Sequence, residues 1–236
     1  MKIILNKKPK NPIIIEGFPG FGLVGTISTE FLIDHLKTEL IGIIKSDKLP
    51  AMVAIHEGDV VQPMGIFYNE KFNIVILHVI TNAKGLEWEI GDTLIELAKQ
   101  LDAKEIISIE GINSPMATDE VKTYFFSNSS QKKKILGDAG IMPLKEGIIM
   151  GITGPLLLQA DKFPVTCIFA ETPSQLPDSK AAAGIIQALD KYLGLNVDYK
   201  PLLKQAENVE KKLKSILQKS QQSVTEKEKR DMSYVG

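Results

Sequence analysis

At 236 residues, 44% of them apolar, the chain is long enough to bury a substantial core, and one soluble domain with an appendage is the simplest organisation. A formal net charge of -1 provides no overall attraction for nucleic acid or acidic membranes, and the single Cys167 cannot close an intramolecular disulfide. No apolar run nears the roughly 20 residues of a membrane-spanning helix, and the start Met1-Lys2-Ile3-Ile4-Leu5-Asn6 is too short in its apolar part for a signal peptide, so a cytoplasmic setting is expected.

The first strong signal is Ile13-Ile14-Ile15-Glu16, an apolar run predicted as a strand over 13–16. It breaks into the turn Gly17-Phe18-Pro19-Gly20-Phe21-Gly22, and a helix is predicted over 22–36. Strands over 40–44, 51–56, 60–68 and 73–79 follow, with hairpin turns at 57–59 and 69–71. Three strands in succession across 51–79 break the β-α-β alternation, which requires a mixed sheet. Beyond them come a helix over 87–101, a strand over 105–110, a helix over 131–137, a strand over 147–150, a helix over 154–161, a strand over 165–170 and a helix over 178–193. The alternation predicts an α/β domain over 1–198, and several strands are apolar throughout, as strands covered on both faces are.

Hydrophobicity drops after residue 200. Pro201 opens a C-terminal helix assigned to 199–219, with Leu202, Ala206, Val209, Leu213 and Ile216 at alternating spacings of four and three. So short a seam is marginal alone and has to pack on the domain or on a second copy of the chain. A flexible tail over 220–236 is polar and charged to Arg230 and turns apolar again at Met232, Tyr234 and Val235, ending on Gly236.

Gly20, Gly22 and Gly25 match the G-x-G-x-x-G spacing of a dinucleotide loop between a strand and a helix, and Glu39 and Asp47 lie at the distance where a ribose-binding acid belongs. Against this, Pro19 stiffens the approach and the glycines begin three residues beyond the strand's end at Gly17. The alternative is a scaffold turn whose glycines permit close packing or positive φ. His35, His56 and His78 form no metal-binding spacing, Cys167 has no partner in a C-x-x-C, and neither a G-x-S-x-G elbow nor a P-loop occurs, so no metal, cofactor or catalytic residue is expected.

Glu87-Trp88-Glu89 opens a helix, where an aromatic ring between two acids could stack a ligand, or simply provide first-turn acids and core or interface area. Glu171-Thr172-Pro173 ends a strand and reads either as a catalytic carboxylate or as loop capping. Lys132-Lys133-Lys134 reads as the solvated side of a helix or a phosphate contact; without interleaved aromatics it does not indicate nucleic-acid binding.

Three segments together resemble the proteasome assembly chaperone 2 family in an archaeal form: Glu16-Gly17-Phe18-Pro19-Gly20-Phe21-Gly22-Leu23-Val24-Gly25, then Gly147-Ile148-Ile149-Met150-Gly151-Ile152-Thr153-Gly154-Pro155-Leu156-Leu157, and Glu171-Thr172 followed by Asp178 and the helix after it. The resemblance spans roughly residues 10 to 195. It implies a phosphorylase-like three-layer α/β sandwich, a homo-oligomer, and a chaperone-like partner of the proteasome core rather than an enzyme, with Gly17, Pro19, Gly20, Gly22 and Gly25 as a fold-marking turn. Some members carry a terminal hydrophobic-Tyr-X motif that docks between proteasome α subunits. Here Tyr234 is third from the end, with Ser233 before it and Val235-Gly236 after it, which moves the terminal carboxylate by about 3.3–3.6 Å if the segment is extended.

The expected function is therefore an adaptor that self-associates and binds the α ring through Met232, Tyr234, Val235 and Gly236, with no nucleic-acid or membrane partner. The alternative is a small-molecule or nucleotide-binding enzyme of phosphorylase-like fold, with Glu16, Glu87 and Glu171 as its candidate residues.

Overall fold

β-Branched and apolar runs bounded by Gly, Pro and Asn form the strands, and amphipathic stretches between them form the helices. A computed structural model describes residues 1–50, 53–56, 58–81, 83–114, 121–161 and 163–204. In these residues the strands are β1 (Lys2–Leu5), β2 (Ile13–Gly17), β3 (Glu39–Lys45), β4 (Ala54–His56), β5 (Asp59–Val61), β6 (Met64–Asn69), β7 (Ile74–Val79), β8 (Glu105–Asn113), β9 (Thr123–Ser127), β10 (Met142–Pro143) and β11 (Val165–Thr172). The helices are α1 (Val24–His35), α2 (Glu87–Gln100), α3 (Ser130–Asp138), α4 (Thr153–Leu158) and α5 (Ser179–Leu193).

Nine strands form one mixed sheet in the order β1-β3-β6-β7-β2-β8-β11-β9-β10, while β4 and β5 pair as a separate hairpin. The middle four, β7-β2-β8-β11, run parallel. Antiparallel pairs flank them on both sides. Period-two alternation then divides the side chains between two faces. Ile15, Ile107, Ile109 and Ile168 meet α1, α3 and α5 in one core, and Ile14, Ile106 and Leu77 meet α2 and α4 in the other. The result is a three-layer α/β arrangement with the mixed sheet in the middle.

The turn after β2 is set by steric limits. A Cβ on Gly17 would stand 2.3 Å from the Gly25 carbonyl oxygen, and one on Gly111 of β8 would stand 2.2 Å from that of Phe21, so both positions admit the turn and the start of α1 only as glycine. The expected helix start at residue 22 moves to Val24, because Gly22 and Leu23 adopt φ of 63° and 48°. Asp178 connects this turn to α5. Its N–H donates to the Gly22 carbonyl at 2.8 Å, and its carboxylate accepts from the Ala181 N–H at 2.9 Å as the helix N-cap. Asp178→Ala is expected to cost about 1 kcal/mol, read as a lower urea midpoint with unchanged m-value.

Two expectations are corrected. The strand expected over 60–68 divides into β5 and β6 at Gln62-Pro63, since a proline nitrogen cannot donate to a ladder. The strand expected over 147–150 does not form: these residues have no regular structure, with Ile148 91% exposed. Both ladder sides of β11 are already taken by β8 and β9, so the run has no place beside that strand. Three short strands, β1, β9 and β10, were not expected from the sequence.

After α5 the chain passes through the buried Leu195 and Val197 and becomes helical again from Lys200. Leu202, the first residue of the predicted seam, packs into the core beside α5 at 2% exposure. Ala206, Val209, Leu213, Ile216 and the tail residues Met232, Tyr234, Val235 and Gly236 lie outside the described residues.

Candidate functional site

β2 ends in the tripeptide Ile-Glu-Gly at 15–17, and β8 carries the same tripeptide at 109–111, two residues before its own end. Each residue type has a distinct task. The isoleucine enters the α1/α5 core, the glycine faces the same way and admits the turn, and the glutamate points to the opposite face. Register places Glu16 beside Ser108, and Glu110 follows Ser108 on the same face, so neighbouring parallel strands present two carboxyl groups at their C-terminal ends. In open α/β sheets ligands bind in this crevice, where the chain leaves neighbouring strands toward opposite layers. Here α1 follows β2 on one face and α2 follows β7 on the other.

A cavity of about 200 Å³ lies there, bounded by the turn Phe18-Pro19-Gly20, the residues leading into α2 and the start of α4. Glu16 and Glu110 lie in its wall, with Lys84, Glu87 and Thr153 as further polar lining. A hydrogen-bonded chain connects the two glutamates. Ser108 binds the Glu16 carboxyl, the Ser108 and Thr153 hydroxyls are 2.8 Å apart, and Thr153 donates to Glu110 at 2.9 Å. Two hydroxyl protons serve these three contacts, and protonation of a carboxyl group would supply a third.

Burial favours that protonation. Glu16, 2% exposed, is pushed up to about 8 by desolvation, with the charge of Glu110 adding to it and the Ser108 hydrogen bond opposing it. Glu110 is pushed up to about 7 by desolvation, against its bond from Thr153. Glu16 Oε1 is buried and has no hydrogen-bond partner.

The structure brings Glu16, Glu87, Pro19 and Gly20 to this cavity and places the other candidates elsewhere. Gly17, Gly22 and Gly25 serve the turn itself. Glu171 accepts from the Tyr124 hydroxyl at 3.0 Å, away from the cavity. Trp88 is 60% exposed and so contributes no core, while Glu89 holds the Met1 ammonium at 2.9 Å and Lys48 at 2.7 Å. His78 is buried, contacts Thr29 through Nδ1 at 2.8 Å, and is held down to about 4 by desolvation. Lys132 does not belong to a solvated face: it pairs at 2.7 Å with the fully buried Glu105. Among the described residues no group of three or more His, Cys, Asp or Glu is arranged to hold a metal. Glu110, Ser108 and Thr153 were missed by sequence reasoning, although the repeated Ile-Glu-Gly was a usable sign of Glu110.

Comparison with known proteins places the chain in defined company. The PAC2 family profile matches residues 14–217. The crystal structure of Pyrococcus furiosus PbaA, described as an archaeal homolog of proteasome-assembly chaperone, superposes with a TM-score of 0.82 at 33% identity, covering 97% of each chain. Pyrococcus furiosus PbaB, described as an archaeal proteasome activator, shares the fold with a TM-score of 0.77 at 22% identity, over 91% of this chain and 98% of its own. An uncharacterized protein of Methanocaldococcus jannaschii is 26% identical over 230 residues, which is 96% of this chain and 94% of that protein. No helix among the described residues is long and apolar enough to cross a membrane.

Proposed function

This chain belongs to the PAC2 family, and on that footing we propose that it is a proteasome assembly chaperone-like adaptor that self-associates and binds the proteasome core particle at its α ring. One observation carries the reading: similarity to an archaeal proteasome-assembly chaperone homolog at 33% identity across 97% of both chains. Its work is binding rather than catalysis, and its setting is the cytoplasm.

The contact with the core particle is assigned to the C-terminal end. A terminal carboxylate is a compact anion that a lysine-lined pocket captures, while the Tyr234 ring and Met232 fill adjoining apolar space. The polar stretch over 220–230 gives the tail reach, and Leu202, Ala206, Val209, Leu213 and Ile216 provide a seam against the domain or a second copy. Several tails projecting from one oligomer raise one another's effective concentration, so contacts that are weak singly become strong together.

A pull-down with the core particle from the same organism tests the assignment. Intact protein should retain the core particle, and protein lacking residues 231–236 should lose at least tenfold in apparent affinity. Undiminished binding by the truncated protein overturns the tail assignment, and absence of binding by the intact chain overturns the adaptor reading.

A further inference from the structure

The adaptor role makes no use of the cavity at the ends of β2 and β8. A polar atom removed from water normally finds a partner, because its lost hydration is otherwise uncompensated. Glu16 Oε1 has none, although its residue is 2% exposed and lies in the cavity wall. A buried acceptor oxygen without a protein partner, on a residue that lines a cavity, is one that a donor on a ligand entering that cavity would satisfy.

From the orphaned Glu16 oxygen, the neighbouring Glu110 carboxyl and the size of the space they face, we propose that the cavity binds a small organic cation, a primary ammonium group on a short apolar body, held between Glu16 and Glu110. The inference is independent of the tail and its partner.

Ligand size follows from the volume. At ~30 Å³ per water the cavity equals about seven waters, below the roughly 300–1,000 Å³ of pockets for drug-sized ligands. That exceeds a bare ion, and Phe18, Ala83 and Ile152 give the remainder of the space an apolar wall suited to a short hydrocarbon body. The ligand's charge follows from the acids. An ammonium offers three N–H donors and no acceptor, which complements two acceptor-rich carboxylates. A bare divalent ion would require more convergent ligands than the described residues bring together.

Binding is linked to protons. The chain from Glu16 through Ser108 and Thr153 to Glu110 holds a carboxyl proton at neutral pH, and an entering cation takes over that proton's role and expels it. The other titratable groups at this place are Lys84 and Glu87 in the lining and the Cys167 thiol, which stands beside Ser108 on β11.

Calorimetry at pH 7.5 with n-butylammonium chloride, repeated in two buffers of different ionisation enthalpy, tests the proposal. Tetramethylammonium, which has no N–H, and magnesium and manganese chloride serve as comparison arms. The expected result is saturable binding of butylammonium with proton release, at least tenfold weaker in Glu16→Gln and in Glu110→Gln, unchanged in Glu171→Gln and in protein lacking residues 231–236. A variant that touches neither acid guards against misfolding. Gly20 has extended backbone, and a Cβ there would stand 3.6 Å from Glu110 Oε1, an ordinary contact, so Gly20→Val fills the mouth and should abolish binding. No saturable binding of butylammonium overturns the proposal. So do equal binding by tetramethylammonium, equal binding by Gly20→Val, or saturation by a divalent ion alone.

Discussion

Replacing Glu105 by alanine should lower the unfolding free energy by about 3–5 kcal/mol, the range for breaking a buried ion pair from one side. Glu105 begins β8 and is fully buried. Lys132 donates to its Oε2 at 2.7 Å, Thr166 donates to its Oε1, and the Tyr192 hydroxyl lies 2.9 and 3.0 Å from its two oxygens. The Lys132 ammonium also sits 5.3 Å from the centre of the Tyr192 ring. One carboxylate thus holds α3, β11 and α5 to β8. Its removal leaves a half-sequestered ammonium and two hydroxyls without their acceptor. Glu105→Gln keeps an acceptor oxygen and should cost less, about 1–3 kcal/mol. The double variant Glu105→Leu with Lys132→Met should recover part of the loss, because it removes both charges instead of stranding one. Urea denaturation of the three variants measures the ordering, and a loss below about 1 kcal/mol in Glu105→Ala would refute the network's anchoring role.

The second large effect is one of pH. Glu16 rises from 4.5 to about 8 and Glu110 from 4.5 to about 7 on folding, so the folded chain holds more protons than the unfolded chain above pH 4.5. Stability from these groups is fully present below 4.5 and is lost as pH rises through 7 and 8, at about 1.4 kcal/mol per unit for each group still titrating. His78 has the opposite sign: depressed from 6.5 to about 4, it lowers stability as pH falls below 6.5 and cancels one glutamate there. The two glutamates are therefore clearest above 6.5. Between pH 6.5 and 8 the unfolding free energy should fall by about 2–3 kcal/mol. In Glu16→Gln the part of that slope between pH 7 and 8 should disappear. Denaturant titrations at pH 6.5, 7.25 and 8 give the slope directly, and a flat profile in the unsubstituted protein would mean the acids are ionised in the fold.

What the sequence discloses, and what it conceals, follows from which forces act locally. β7 and the Ile13-Ile14-Ile15 run of β2 are apolar because helices cover both their faces, and that composition is visible without coordinates. β9 is a counter-example. Its Thr-Tyr-Phe-Phe-Ser carries no run of β-branched apolar residues, and it becomes a strand by pairing with β11, which is a tertiary fact. The run Ile148-Ile149-Met150 misleads in the other direction, since hydrophobicity asks for cover and cannot by itself create a pairing edge. The cavity is legible in part. Glu16 stood out as a charge closing an apolar strand, but its nearness to Glu110 depends on a register between strands more than 90 residues apart in sequence. Glu171 closes a strand in the same manner and yet lies at a tyrosine, so the sequence sign alone does not sort the three acids.

The two ends of the long sheet bear on how the protein behaves in concentrated solution. One border is β10, two residues long and closing on Pro143, whose nitrogen has no hydrogen to offer a further strand; the other is β1, four residues long and opening on the exposed Lys2. Neither is much of a template for backbone pairing with another molecule, and short, charged or proline-bearing borders are the usual protection against runaway stacking into fibrils. Crowded copies are thereby steered away from lengthening one another's sheets and toward meeting through side chains, where shape and chemistry can select the partner. The exposed Ile148 and Met150 illustrate the kind of surface left available for such encounters. A nine-stranded sheet can in this way remain a finite object.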